Sequence, residues 1–356
     1  MHRNLYGSSR EDLREILSPL SDKPFHAGQI YRWMHARGER DFARMSNLPR
    51  SLRAGLSERY RVGLPEVEQR LRSSDGTIKY LLRLDDGKAV ESVYIPERER
   101  LTFCISSQIG CPLACTFCLT GRMGLVRQLS AGEIAGQVAV LAGDHRLAAN
   151  DYNLVFMGMG EPLNNYENVL AAFRLLTDPE GFGIAPRHVT LSTAGVLPGL
   201  RRLAGESPRP RIAVSLSATT DALRNELMPI NKAYPLAALF EALRAIPLAP
   251  RERITLEYVL LQGINDSLAD ALRLAALAGQ LPVKINLIPY NEASVDGYAA
   301  SAPPAARAFR DLLMSRGLRA SIRRRRGADV SAACGQLAIL DANTLQRPVR
   351  AFEELR

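Results

Sequence analysis

Three cysteines, Cys111, Cys115 and Cys118, stand in the spacing C-x3-C-x2-C within Gly110-Cys-Pro-Leu-Ala-Cys-Thr-Phe-Cys-Leu119. They directly follow a β-rich run, in a loop that also holds Gly110 and Pro112. A zinc site takes paired C-x2-C units and a fourth ligand, and no fourth is evident. A four-iron cluster held by three cysteines leaves one iron open to a ligand that is not protein. That is the logic of S-adenosylmethionine (SAM) chelation. The amino and carboxylate groups of SAM take the open iron, which brings the sulfonium close for one-electron cleavage. The competing reading is three small hydrophobes buried in one loop. It accounts for neither the spacing nor the position at a strand end.

Two further cysteines complete a set of five, too few and too odd for a disulfide scaffold. Cys104 lies inside the β-rich run, seven residues before Cys111. Cys334 lies in Ala332-Ala-Cys-Gly-Gln336, behind an arginine run. Taken alone, each reads as a buried inert thiol. The neighbouring cluster loop and the positive charge favour chemistry, since cations stabilise thiolate. Gly158-Met-Gly-Glu-Pro162 ends another β-rich run. Its glycines would let backbone approach a ligand, and Glu161 can accept from an ammonium or hydroxyl. An ordinary strand-end turn is the alternative. Six arginines lie between Arg316 and Arg326 with no acid among them, either a solvated charge run or a phosphate contact just ahead of Cys334.

The elements that position these residues follow from periodicity. Residues 1 to about 75 read as helical and basic, with Ile30, Trp33 and Met34 on one helix face and a second helix starting near Ser51. A hairpin follows, Thr77 to Leu84 and Ala89 to Ile95 around Asp85-Asp86-Gly87-Lys88, with Glu91 in its second arm. It is expected to link the helical module to a core over 97–330, and residues 331–356 form a C-terminal segment. From residue 100, β-rich runs begin at Leu101, Asn153, His188, Arg211, Arg253 and Val283, mostly at βα-unit spacing. Ser130-Ala-Gly-Glu133 predicts a capping box at one intervening helix. The expected fold is α/β, a partial (β/α)6 barrel with a small N-terminal helical domain and a hairpin extension. A Rossmann sheet is disfavoured, because no strand is followed by G-x-G-x-x-G.

Composition limits the function classes. The 356 residues are 46% hydrophobic and 23% charged, which excludes a mainly disordered chain. No apolar run nears the ~20 residues of a membrane span, and no signal peptide follows Met1. A cytoplasmic protein with reduced cysteines is therefore expected. The net charge of +9 points to a polyanionic partner, most simply nucleic acid.

The cysteine spacing, with Phe117 before the third cysteine, resembles the radical SAM superfamily. Six further segments resemble the RlmN/Cfr family of RNA adenine methyltransferases: Arg127-Gln-Leu-Ser-Ala-Gly-Glu-Ile134, Met157-Gly-Met-Gly-Glu-Pro-Leu163, Val189-Thr-Leu-Ser-Thr-Ala-Gly195, Met228-Pro-Ile-Asn231, Asn286-Leu-Ile-Pro-Tyr-Asn291 and Arg326-Gly-Ala-Asp-Val-Ser-Ala-Ala-Cys-Gly-Gln336. The resemblance implies a [4Fe-4S] cluster on Cys111, Cys115 and Cys118. It implies SAM at Gly160, Glu161, Ser192, Ser215, Leu216, Ser217 and Asn291, and two SAM molecules per turnover. Many relatives carry histidine where this chain has Ser217, so no histidine-specific contact carries over.

The resemblance also implies the chemistry. Cys334 takes a methyl group from one SAM, and a radical from a second SAM activates it. The resulting carbon bonds to the adenine ring, and Cys104 attacks the Cys334 sulfur to release methylated RNA. A transient disulfide results and must be reduced. Glu91 matches the family's proton acceptor, with Cys104 as the other candidate. The implied substrates are carbon 2 of an adenosine in the peptidyl-transferase centre of 23S rRNA and of an adenosine beside the anticodon in tRNA. An external donor such as a flavodoxin system would supply electrons to a monomeric enzyme. Methylation at carbon 8, a radical SAM enzyme acting on a non-RNA substrate, and a zinc-binding RNA protein are the alternatives.

Overall fold

Each β-rich run becomes a strand with one face in the core. Tyr152–Phe156 and Val189–Thr193 both bury every second residue. The computed structural model describes residues 2–97, 100–291 and 297–339. Ten strands form one sheet: β1 (Glu66–Arg72), β2 (Ile78–Arg83), β3 (Ala89–Glu97), β4 (Arg100–Ile105), β5 (Tyr152–Phe156), β6 (Val189–Thr193), β7 (Arg211–Ser215), β8 (Ile254–Leu260), β9 (Val283–Pro289) and β10 (Arg319–Ile322). Their order in space is their order in sequence. Strands β4 to β10 run parallel. Strands β1 to β4 run antiparallel. β4 is therefore the seam between two kinds of pairing.

Helices cross back between the parallel strands. Among the described residues, the connections hold α4 (Ala131–His145), α5 (Tyr166–Thr177), α6 (Leu197–Ala204), α7 (Asp221–Leu227) with α8 (Leu236–Arg244), α9 (Leu268–Ala278) and α10 (Pro303–Ser315). These make the six expected strand–helix units, and β10 adds a seventh parallel strand. The capping box forms at α4, where Ser130 accepts from the Glu133 amide and Glu133 from the Ser130 amide.

The N-terminal module packs α1 (Arg10–Leu17), α2 (Phe25–His35) and α3 (Arg50–Arg59). Leu13, Leu17, Ile30, Met34, Leu52 and Leu56 are buried between them. Arg10 and Tyr31 tie the module to the barrel through Asp178, and Arg10 reaches Glu180 at 2.7 Å.

Three expectations need correction. Glu66–Arg72 was expected to be helical and is strand β1. It is mostly charged and exposed, as suits a sheet edge, and so lacks apolar alternation. The hairpin is not a linker, because β2 and β3 continue the barrel's own sheet. The arginine run holds an unforeseen strand, β10. Residues 340–356 of the C-terminal segment lie outside the described residues.

Candidate active site

The cysteine loop leaves β4 through a short ribbon, Gln108–Gly110 against Leu125–Gln128. Gly110 has φ +76°, and a Cβ there would lie 1.8 Å from the Gly124 carbonyl oxygen. Only glycine fits. The Cys111 amide donates to that carbonyl at 3.0 Å, and the Thr116 amide to Leu227 O at 3.0 Å. Cys111, Cys115 and Cys118 all line one cavity of about 170 Å³.

Burial raises the pKa of all three thiols, that of Cys115 to about 12. Such thiols keep their protons until a metal replaces them. Among the described residues no three His, Cys, Asp or Glu side chains group around a single metal-ion position. The donor set is instead three thiols along one cavity wall with room beside them, which fits a cluster with an open iron.

The strand ends supply the rest of the wall. Gly160, Glu161, Ser192, Ser215, Ser217 and Asn291 line the same cavity as the thiols. Leu216 does not, since its side chain is fully buried in the core. Its backbone still matters, donating to Glu257 O at 2.9 Å. Glu161 is 3% exposed, and burial raises its pKa to about 7. Its carboxylate accepts from the Leu163 amide at 3.0 Å and the Ala194 amide at 2.8 Å. Gly160 has φ +103°, and a Cβ there would meet the Gln108 side chain at 2.6 Å. The close approach that needs this glycine is thus to Gln108, whose Oε1 accepts from the Glu161 amide at 2.7 Å. Ser217 is buried with φ +51° and accepts weakly from the Val259 amide at 3.4 Å. Asn291 donates to the Cys334 carbonyl at 3.0 Å, joining the cavity to the Cys334 loop.

Cys334 is exposed and lines the cavity, while Cys104 is buried on β4. Burial raises the Cys104 pKa to about 12; the Cys334 thiol adds to this and Arg323 opposes it. Both cysteines are free thiols, so the expected disulfide is not formed in this state. The Cys334 loop is held on three sides. Gly335 O accepts from the Leu119 amide at 2.9 Å and Leu337 O from the Thr120 hydroxyl at 2.5 Å, both from the cysteine loop. Asp75 Oδ2, in the β1–β2 turn, accepts from the Gly327 amide at 3.1 Å. Glu91 Oε2 accepts from the Ala338 amide at 2.9 Å.

Glu91, in the second arm of the hairpin, is thus buried against the Cys334 segment. It is 5% exposed, pairs with Lys79 at 2.9 Å and lies off the cavity wall. Burial raises its pKa, against the opposing effects of Lys79 and the Ala338 amide. Removing one partner of a buried pair strands the other charge. Lys79→Met should therefore cost about 3 kcal/mol in urea unfolding. Adding Glu91→Gln should recover most of that loss; a double variant as unstable as the single would refute the pairing account.

Sequence reasoning missed several residues here. Arg224 is fully buried and bonds Ala194 O at 2.7 Å, Leu216 O at 3.2 Å and Asn231 Oδ1 at 2.9 Å. Burial lowers its pKa to about 10. It clamps the ends of β6 and β7, and a lone helical arginine gives no such signal. Arg323, the first of the four consecutive arginines, turns into the cavity beside Cys334 and Cys104. Arg325 donates to Tyr290 O at 2.7 Å, and Arg326 lies 3.8 Å from Asp75. Arg324 is exposed, on a groove that runs to Cys334.

Comparison with known proteins agrees with this arrangement. Residues 3–62 match the family described as ribosomal RNA large subunit methyltransferase N-terminal domain, and residues 105–275 match the radical SAM superfamily. The dual-specificity RNA methyltransferase RlmN of Anaeromyxobacter dehalogenans is 50% identical, over 92% of this chain and 90% of its own length. The protein of the same description from Geobacter sulfurreducens is 46% identical, over 94% and 91%. The crystal structure of a radical SAM methyltransferase from Sphaerobacter thermophilus superposes with a TM-score of 0.87 at 39% identity, covering 94% of this chain and 99% of that one.

Proposed function

The chain belongs to the RlmN family of SAM-dependent, dual-specificity RNA methyltransferases, and on that premise we propose that it methylates carbon 2 of an adenosine in 23S rRNA and in tRNA. The rRNA target is the peptidyl-transferase centre, and the tRNA target lies beside the anticodon. The supporting observation is that Cys334 shares one cavity with the three cluster-spaced thiols. An adenine ring carbon is electrophilic and has no lone pair to attack a methyl donor, so a carrier thiol between SAM and the ring has a chemical purpose.

Cys111, Cys115 and Cys118 would hold the cluster, and Gly160, Glu161, Ser192, the Ser215–Ser217 backbone and Asn291 would hold SAM. When bound, these groups supply a methyl group and a hydrogen-abstracting radical, with two SAM consumed per product. Cys334 carries the methyl carbon and through it bonds to the ring. The ring proton leaves to Glu91 or Cys104. Glu91 is engaged by Lys79 and Ala338, so its use as base needs that segment to shift. Full turnover by Glu91→Gln would remove the base role. Cys104 then attacks the Cys334 sulfur, freeing the methylated base and leaving a disulfide. An external donor of the flavodoxin type reduces the enzyme, which acts as a cytoplasmic monomer. Among the described residues no helix is long and apolar enough to cross a membrane.

The test is anaerobic turnover on rRNA and tRNA transcripts, followed by nucleoside mass spectrometry against 2- and 8-methyladenosine standards. Product at carbon 8 alone would overturn the reading.

RNA would reach Cys334 along the groove lined by Arg324, after the target base unstacks. Each phosphate contact contributes a slope of about −0.9 in log K against log salt on duplex, less on single strands. Arg324→Gln should reduce the slope by nearly one contact in a filter-binding titration. An unchanged slope would remove Arg324 from the interface.

A further inference from the structure

Glu257, on β8, lines the same cavity, and the scheme above gives it no task. It is 5% exposed. Oε1 accepts from Asn286 Nδ2 at 3.0 Å, and Asn286 Oδ1 in turn accepts from the Ser321 hydroxyl at 3.0 Å. Three adjacent strands thus hold the carboxylate in one orientation. Oε2 is buried, with no hydrogen-bond partner among the described residues. A buried carboxylate oxygen without a donor is costly, and a donor from a ligand would remove that cost.

The surroundings indicate which part of a ligand reaches it. Glu161 acts electrostatically on Cys111 and Cys115 and so marks the cluster end. The charges acting on Glu257 are Arg323 and Lys284, with no cluster thiol among them. Across the sheet Glu257 is in register with Ser215. Two residues further along the same strand face is Val259, which lines the cavity with Ile288 and Tyr290. That apolar and aromatic surface suits a purine ring. With the amino-acid end at the cluster and the base on this surface, the ribose comes to Glu257. We propose that Glu257 Oε2 accepts a hydrogen bond from a ribose hydroxyl of SAM. The inference rests on the reading of the cavity as the SAM site.

The test uses iron-reconstituted, anaerobic enzyme and S-adenosylhomocysteine, which cannot methylate Cys334. Equilibrium dialysis compares it with its 2′-deoxy, 3′-deoxy and inosine counterparts on wild type, E257A and E257Q. A hydrogen bond to a charged group predicts about tenfold or more weaker binding to E257A. One deoxy compound should lose a similar factor on wild type and little further on E257A. E257Q, which keeps the shape, should blunt the same discrimination even if E257A fails to fold. Iron content and melting temperature confirm the fold of each variant. Unchanged affinity in both variants, or losses that simply add for both deoxy compounds, would overturn the assignment. So would discrimination that vanishes only for the inosine compound. A wild type that binds none of these compounds overturns the SAM reading of the cavity itself.

Discussion

Cys104→Ala should stop the enzyme with its RNA covalently attached through Cys334. On a denaturing gel the protein would shift by the mass of the transcript, in up to stoichiometric amount, and multiple turnover would cease. The expectation rests on position. Cys104 is buried on β4, close enough to Cys334 for the Cys334 thiol to help raise its pKa. Among the five cysteines the other three share the cluster loop. Without the Cys104 sulfur, nothing displaces the Cys334 sulfur from its carbon. Cys104→Ala combined with Cys334→Ala should give no adduct. A single variant that turns over normally, or an adduct that survives loss of Cys334, would end the carrier scheme.

The second large effect is on iron. Cys115→Ala should leave nearly all the cluster iron unbound after anaerobic reconstitution, measured as iron and sulfide per chain. It should also abolish product formation, because two thiolates do not secure a four-iron cluster. Retention of full iron would mean that other ligands hold it. A further consequence follows from the Leu119 amide and the Thr120 hydroxyl, which hold Gly335 and Leu337. The residues just after Cys118 therefore grip the segment that carries Cys334. Stripping iron from the wild type with a chelator should loosen that grip and speed alkylation of Cys334 by iodoacetamide.

How much was legible in the sequence depends on where each signal came from. The six barrel strands were visible because each alternates or clusters apolar residues between turn signals. The capping box at Ser130 was visible because its two bonds need fixed residue types at fixed spacing. Strands β1 and β10 were hidden because they lie at the sheet's two edges, β1 mostly charged and β10 only four residues long with none fully buried. The three cluster-loop cysteines are local in sequence and were legible at once. Lys79 on Glu91, Arg224 across two strand ends, and Glu257 with Asn286 are long-range pairings. No local pattern encodes those. The arginine run read as one basic surface, yet folding sorts it residue by residue, with Arg323 inside and Arg324 outside.

The seam at β4 also bears on how the two halves of this sheet can be separated. An open barrel ends in a strand with unpaired amides and carbonyls, which invites a second chain to add on. Here that terminal strand is the one bearing Cys104, paired on its outer side with β3 through Val93. Strands β1 to β3 therefore cover the strand that carries the Cys104 thiol as well as a sheet edge. A fragment beginning after residue 97 would keep every cluster ligand and lose that cover. It is expected to scramble disulfides between molecules and to aggregate in air, and to behave better under reductant.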